Sequence, residues 1–235
     1  MMFDFLNQYA KAVCLDSVRF KSLFPDGVRK SDFLLFEEST VCEFKEVKNF
    51  DVVKRVEHVA KKNAGSEGNL KRDLYNTISD ALSSANQQIK ETREVLGMPK
   101  SLGLVIIENQ IPKDLSVLAL MDAADRKMIN GLDCVDGVLC LDFTNTFVDG
   151  NGSHIQPAQI VVRDTDRSER LYRLVGEMLM DFGTSSNTPM IEGFHISKAE
   201  QKWTIGTQGK YVSFGGKICM GSDPLHLLAG PPKRS

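Results

Sequence analysis

Apolar residues recur along the chain in two patterns, one typical of helices and one of buried strands. Between residues 70 and 96, Leu, Ile and Ala recur at intervals of three and four, which predicts a long amphipathic helix that ends before Gly97 and Pro99. The same spacing predicts further helices over 3–14, 115–128 and 168–182. Short apolar runs bounded by polar residues predict strands over 32–36, 40–47, 102–107, 135–143 and 159–162. Strands that alternate with long helices predict an α/β (α+β) fold, with a central mixed β-sheet flanked by helices.

The pattern changes after Gly183. Residues 184–189 are rich in Ser, Thr, Asn and Pro, and short β-like runs punctuated by glycine follow at 191–196, 203–205, 211–214 and 218–220. We therefore predict a core with an added strand and helix over 1–183 and a small β-rich C-terminal extension over 184–235. The segment 48–68 is polar, and its valines hint at a short helix.

Composition is that of an average globular protein: 235 residues, 42% hydrophobic and 26% charged, which argues against disorder and collagen-like structure. The formal net charge of -2 neither indicates nor excludes nucleic acid as a partner. Five cysteines without a CxxC pair predict free thiols in a reducing cytoplasm. The four histidines are too dispersed for a zinc site, and no apolar run approaches the ~18 residues of a membrane span. A cytoplasmic protein without membrane contact is expected.

The residues most suggestive of chemistry lie on a predicted hairpin. Asp32 opens its first strand, and Glu43 and Lys45 lie on its second strand, where alternation places both side chains on one face of the sheet. Strand pairing across the short polar connection 37–39 brings Asp32 alongside them. Two carboxylates that meet in this way call for a cation, and hard oxygen ligands suit Mg²⁺ or Mn²⁺.

Asp32, followed by Glu43-x-Lys45 on the next strand, resembles the motif of the PD-(D/E)XK nuclease superfamily. The resemblance covers about residues 1–110 and implies a restriction-endonuclease-like αβββαβ core. It also implies Mg²⁺- or Mn²⁺-dependent hydrolysis of phosphodiester bonds in nucleic acid, and we expect DNA rather than RNA. Asp32 and Glu43 would be the metal ligands, and Lys45 would position water or stabilise charge. The helix after the hairpin often supplies a glutamine in this superfamily, and Gln88 matches that position.

Two features depart from the superfamily pattern. Its members often carry a further acidic residue on the first helix, where this chain offers only Asp4, with Asp16 just beyond. The literal Pro-Asp pair places Asp26 in a turn before Asp32, so the first acidic position of the motif has two candidates. We prefer Asp32, because it abuts the strand.

Basic residues outnumber acidic residues between positions 45 and 72, directly after the motif. Phosphate contacts are expected there, from Lys48, Lys54, Arg55, Lys61 and Lys62. A solvated surface would show the same charge pattern.

Two other functions fit the sequence. One is a catalytically inactive, nuclease-like binding or scaffold module that recruits a protein or nucleic acid. In either nuclease-like case the C-terminal strands could hold a protein partner or a second copy of the chain. The other is an enzyme of unrelated α/β fold whose active site lies elsewhere.

Overall fold

The computed structural model describes residues 1–48, 76–110, 117–144, 147–148, 154–155, 158–163, 165–186, 196–198, 213–214 and 217–218. Five helices lie in these ranges: α1 (Met2–Gln8), α2 (Val18–Lys21), α3 (Asn76–Leu96), α4 (Val117–Ile129) and α5 (Asp166–Ser186). The strands there are β1 (Ala12–Cys14), β2 (Phe33–Leu35), β3 (Thr40–Val47), β4 (Leu102–Asn109), β5 (Gly137–Asp142), β6 (Phe147–Val148), β7 (His154–Ile155), β8 (Ala158–Val162), β9 (Ile196–Lys198), β10 (Ser213–Phe214) and β11 (Lys217–Ile218). Within the same ranges, no helix has the length and apolar character that crossing a bilayer requires.

One open sheet organises the fold, with strand order β1-β2-β3-β4-β5-β8-β9. The pairs β1–β2, β2–β3 and β5–β8 are antiparallel, whereas β3–β4, β4–β5 and β8–β9 are parallel. Helix α3 lies in the connection between β3 and β4, as a crossover between parallel strands requires. The prediction of a mixed sheet flanked by helices is therefore confirmed.

Strand β4 forms the centre of the sheet. All eight of its residues are buried, and it pairs along its full length with β3 and over six residues with β5. A strand that is covered on both faces reads as a continuous apolar run, which explains why it was recognisable in the sequence. Its two neighbours in the sheet are therefore held in fixed register.

Successive residues of each central strand enter two separate cores. On one face, side chains such as Val41 and Val105 pack under α3 and α4. On the other face, side chains such as Cys42 and Leu104 pack under α1 and α5. Helices thus cover both faces, and Glu43 and Lys45 share the α3 face with Val41 by alternation.

The helix predicted over 3–14 is wrong at its end. Helix α1 stops at Gln8, because Tyr9 turns to extended backbone (φ -73°, ψ 123°) while its N–H still bonds to the carbonyl of Leu6. Residues 12–14 instead form β1, which pairs with β2 from Ala12↔Leu35 to Cys14↔Phe33. Pairing with a distant strand overrides the local helical spacing there.

Helix α5 continues to Ser186, although residues 184–186 were expected in a connection. The hydroxyl of Thr184 donates to the carbonyl of Met180 and that of Ser185 to the carbonyl of Phe182, so both side chains bond to the preceding turn. Strand β9 follows in the large sheet beside β8, and β10 pairs with β11. Three predicted segments lie outside the described residues. They are the helix hinted at over 48–68 (except residue 48), residues 70–75 of the long helix, and the strand over 203–205.

Gly103, on β4, provides a test of how closely that strand approaches the backbone before β5. A Cβ atom at Gly103 would lie 2.0 Å from the carbonyl oxygen of Cys134, whereas one at Gly137 would lie 2.9 Å from the flexible end of the Leu171 side chain. We expect Gly103→Ala to destabilise the fold by more than ~3 kcal/mol and Gly137→Ala by about 1–2 kcal/mol, because backbone yields less than a side chain. Urea unfolding of both variants measures the difference. Equal losses would contradict the close approach at Gly103.

Candidate functional site

The hairpin of β2 and β3 sets the first pair of groups side by side. Its register, Phe33↔Cys42, places Asp32 next to Glu43 at the point where β2 begins. The carboxylate of Asp32 accepts a hydrogen bond of 2.8 Å from the N–H of Phe44 through Oδ2. The side chain of Asp32 therefore adds a hydrogen bond between β2 and β3 beyond those of the backbone. Its carboxyl group also interacts with that of Glu43.

Lys45 connects the hairpin to helix α3. Its Nζ lies 2.6 Å from Oε1 of Glu43 and 2.8 Å from Oε1 of Gln88. Gln88 is held in turn, because its Nε2 donates to the carbonyl of Lys30 at 3.0 Å and its Oε1 accepts from the Ser84 hydroxyl at 3.3 Å. The structure thus brings together Glu43, Lys45 and Gln88.

The segment leading into β2 is anchored to α3 by three hydrogen bonds. The N–H of Arg29 donates to Glu91 at 2.6 Å, the carbonyl of Lys30 accepts from Gln88, and the N–H of Ser31 donates to the Thr92 hydroxyl at 2.8 Å. Sequence reasoning did not identify this anchor. The spacing 88, 91 and 92 places three polar residues on one helical face, which is the signal that could have indicated it.

Burial dominates the electrostatics of Glu43. Its side chain is only 2% exposed, and Oε2 has no hydrogen-bond partner among the described residues. Desolvation, followed by the nearby charge of Asp32, raises the pKa of Glu43 to about 7, although Lys45 and Gln88 act in the opposite sense. Burial also raises the pKa of Asp32, against the lowering effects of the Phe44 N–H and Lys45. A further positive charge beside them would lower the pKa of both carboxyl groups.

The donor set suits a hard divalent cation. Two adjacent carboxyl groups, one with a buried oxygen that lacks a partner, offer the one or two carboxylate ligands that Mg²⁺ usually takes from a protein. Across the described ranges, no group of three or more His, Cys, Asp or Glu side chains is arranged to hold a metal ion. The pair therefore fits Mg²⁺ or Mn²⁺, which retain several waters, better than a zinc site with three or four protein ligands.

The other acidic candidates lie apart from this contact. Asp26 is exposed in the turn before Gly27, and Asp4 is 79% exposed beside the amino group of Met1. Asp16 is 74% exposed and pairs with Lys30 at 2.5 Å, and its charge contributes to the raised pKa of Asp32. Of these, Asp16 is thus electrostatically linked to the site.

Among the basic residues predicted to contact phosphate, Lys48 lies within the described part of the chain. It is 58% exposed and pairs with Glu46 at 2.5 Å. The other four, Lys54, Arg55, Lys61 and Lys62, lie outside the described residues.

Comparison of the chain with protein-family models, with curated proteins and with solved structures found no match.

The raised pKa of Glu43 predicts a pH-dependent stability in the absence of metal. Between the ordinary value of 4.5 and the folded value of about 7, the folded chain holds a proton that the unfolded chain has released. Raising the pH through this window therefore favours unfolding. We expect the unfolding free energy to fall from about pH 4.5 to about pH 7, and Glu43→Gln to remove up to about 3 kcal/mol of that fall. Urea unfolding in a chelating buffer measures both.

Millimolar Mg²⁺ at the upper pH extends this test. Because a ligand that binds the folded state stabilises it, we expect Mg²⁺ to raise the unfolding free energy of the wild type but not of Glu43→Gln. Asp125→Asn is the matched control: burial and the charge of Asp122 raise the pKa of Asp125 to about 7 as well, but on α4. The unfolding free energy of Asp125→Asn should depend less on pH than that of the wild type, but Mg²⁺ should still raise it. An equal Mg²⁺ response in Glu43→Gln would contradict the assigned ligand.

Proposed function

We propose that the chain is a metal-dependent nuclease of the PD-(D/E)XK type that hydrolyses phosphodiester bonds, in DNA rather than RNA. The observation that carries the proposal is the contact of Lys45 Nζ with both Glu43 and Gln88, beside Asp32. Two carboxylates, a lysine and a helical glutamine on one face are the residue types that the superfamily resemblance implies for hydrolysis.

The order of elements supports the same proposal. Helix α1 is followed by the antiparallel strands β1, β2 and β3, with the short helix α2 between β1 and β2. Among the described elements, α3 and then β4, which lies parallel to β3, come next. Apart from α2, this is the order that an αβββαβ core would require, which supports the proposal. The described strands β5 and β8 extend the sheet beyond that core.

Asp32 and Glu43 would hold the metal ion. When bound, Mg²⁺ or Mn²⁺ would polarise a phosphoryl group and make water a stronger nucleophile. With the cation absent, the raised pKa of Glu43 favours retention of a proton by the carboxyl pair. Metal binding must displace that proton, so its affinity rises with pH.

Lys45 would act on the reacting groups. An ammonium has three N–H donors, and Glu43 and Gln88 occupy two of them. The third has no partner in the part of the chain that the structure describes, and it would orient water or stabilise negative charge that develops on the phosphoryl oxygens. Its side chain is 23% exposed, so it combines a fixed position with access from solvent.

A second candidate, the inactive binding or scaffold module, is favoured by one observation. The contact of 2.6 Å between Lys45 and Glu43 already gives the buried carboxylate a counter-charge without a metal ion. A chain that showed no Mg²⁺-dependent stabilisation and no cleavage, but bound nucleic acid or a defined protein, would have this second function.

Cleavage of single-stranded DNA, double-stranded DNA and RNA tests the first proposal. We expect Mg²⁺-dependent cleavage of DNA, reduced at least ~100-fold in Glu43→Ala and Lys45→Ala, because metal binding and charge stabilisation are each lost. Glu46→Gln is the matched control, since Glu46 adjoins Lys45 on the same strand but points to the opposite face. Circular dichroism checks that each variant is folded. Cleavage by Lys45→Ala at the wild-type rate would refute the assignment.

Gln88 and Gln87 form a second matched pair. Gln88 fixes Lys45, whereas the side-chain amide of Gln87 donates to Glu91 at 2.8 Å. We expect Gln88→Ala to lower kcat by about 10- to 100-fold with little change in KM, because it loosens the lysine rather than the substrate. Gln87→Ala should leave both values near wild type. An equal loss in the two variants would remove Gln88 from its positioning role.

A further inference from the structure

A second concave surface lies away from the hairpin contact. An open pocket of about 710 Å³ lies where β3 and β4 begin, and it includes Ser39 and Leu102. Glu43 lies four residues further along β3, which corresponds to about 13 Å of extended strand. The walls come from the β2–β3 connection, the α3–β4 connection and the start of α5. This pocket is therefore distinct from the candidate active site.

Basic residues line one side of the pocket: Lys100, Arg167 and Arg170. Lys100 and Arg170 are exposed, and neither has a carboxylate within ion-pair distance in the described part of the chain. The acidic residue of the lining, Glu38, pairs instead with Arg19 at 3.2 Å. Among the described residues of the lining, positive charge therefore exceeds negative charge.

Arg167 is fixed in place by the backbone around it. Its Nη2 donates to the carbonyl of Ser101 at 2.9 Å and lies 3.7 Å from Oδ2 of Asp136. Asp136 is also paired with Arg93 at 3.2 Å, so Arg167 is not fully neutralised by it. The Arg167 side chain remains 52% exposed. A guanidinium held in this way is pre-organised to bind phosphate.

The lining also includes apolar residues, here called the floor: Met98, Pro99 and Leu102. The three cations of the same lining are called the rim. Small-molecule sites are typically of about 300–1,000 Å³ and combine apolar walls with a few placed polar groups. A flat heterocycle on the floor and an anionic group at the rim would satisfy both parts. Inorganic phosphate would satisfy the rim alone.

The β2–β3 connection, which contributes Glu38 and Ser39 to the lining, has an unusual backbone conformation. Phe36, Glu37 and Glu38 all have left-handed backbone, with φ of 54°, 58° and 62°, although none is glycine. The N–H of Phe36 donates to the carbonyl of Lys11 and that of Ser39 to the carbonyl of Phe36, which holds the turn. Backbone in this sparsely populated region is often found at ligand clamps.

We propose that this pocket binds a nucleotide, with its base on the Met98–Leu102 floor and its phosphate on Arg170, Lys100 and Arg167. The nucleotide could be a free mononucleotide or one unit of a nucleic acid strand, since both present the same base and phosphate. This binding is independent of cleavage and of divalent metal.

Titration calorimetry in a chelating buffer tests the proposal on the full chain carrying Glu43→Gln, which separates the pocket from catalysis. Adenosine monophosphate, a short single-stranded oligonucleotide and inorganic phosphate are the three probes. We expect Arg170→Ala to weaken binding of the mononucleotide or of the oligonucleotide at least ~10-fold, because it removes a phosphate contact. Arg173→Ala, at an exposed position of the same helix that lies outside the pocket lining, should bind as the parent does.

The results for the three probes distinguish a free nucleotide from a nucleic acid strand. Loss of mononucleotide binding in Arg170→Ala identifies a free nucleotide as a ligand, and loss of oligonucleotide binding alone identifies a strand. Inorganic phosphate that binds as tightly as the mononucleotide would overturn the proposal, because the apolar floor would then contribute nothing. No measurable binding, or equal loss in Arg170→Ala and Arg173→Ala, would overturn it as well. Either failure would leave the nuclease proposal standing.

Discussion

The buried carboxylate of Glu43 is the constraint on which the arrangement of the site depends. A charge that is 2% exposed is tolerated only where partners compensate for lost water, and here Lys45 and Gln88 do so in part. Lys45 approaches along the same strand and Gln88 orients it from α3, whereas the carboxyl group of Asp32 across the hairpin adds a like charge that raises the pKa of Glu43. The other oxygen of Glu43, Oε2, has no hydrogen-bond partner among the described residues. The carboxylate is therefore only partly compensated for the loss of water.

This constraint explains why α3 must be fixed relative to the hairpin. The apolar face of α3 packs on the sheet through Ile78, Leu82, Ala85 and Ile89, which sets its distance from β3. The hydrogen bonds from residues 29–31 then fix its position along the strands. Packing alone would tolerate a shift of the helix along the sheet, whereas these bonds would be lost by it. Packing and these hydrogen bonds together therefore keep Gln88 within hydrogen-bond distance of Lys45.

The sequence was informative where structure is determined locally. The hairpin, its two-residue alternation and the convergence of Asp32, Glu43 and Lys45 follow from short-range rules, and the apolar run of β4 marks a buried strand. Strand β1 could not be predicted in this way, because three residues acquire strand geometry only by pairing with β2. The anchor at residues 29–31 and the pocket beside Arg170 arise from elements far apart in the chain. Such contacts depend on tertiary packing that periodicity does not encode.

The order in which the site assembles follows from the same distances along the chain. Asp32 and the N–H of Phe44 are 12 residues apart and can meet as soon as the hairpin closes, which takes microseconds for a local turn. Lys45 and Gln88 are 43 residues apart, so their contact waits for a long loop to close and for α3 to dock. A nascent chain would therefore expose the paired carboxyl groups before their lysine is secured.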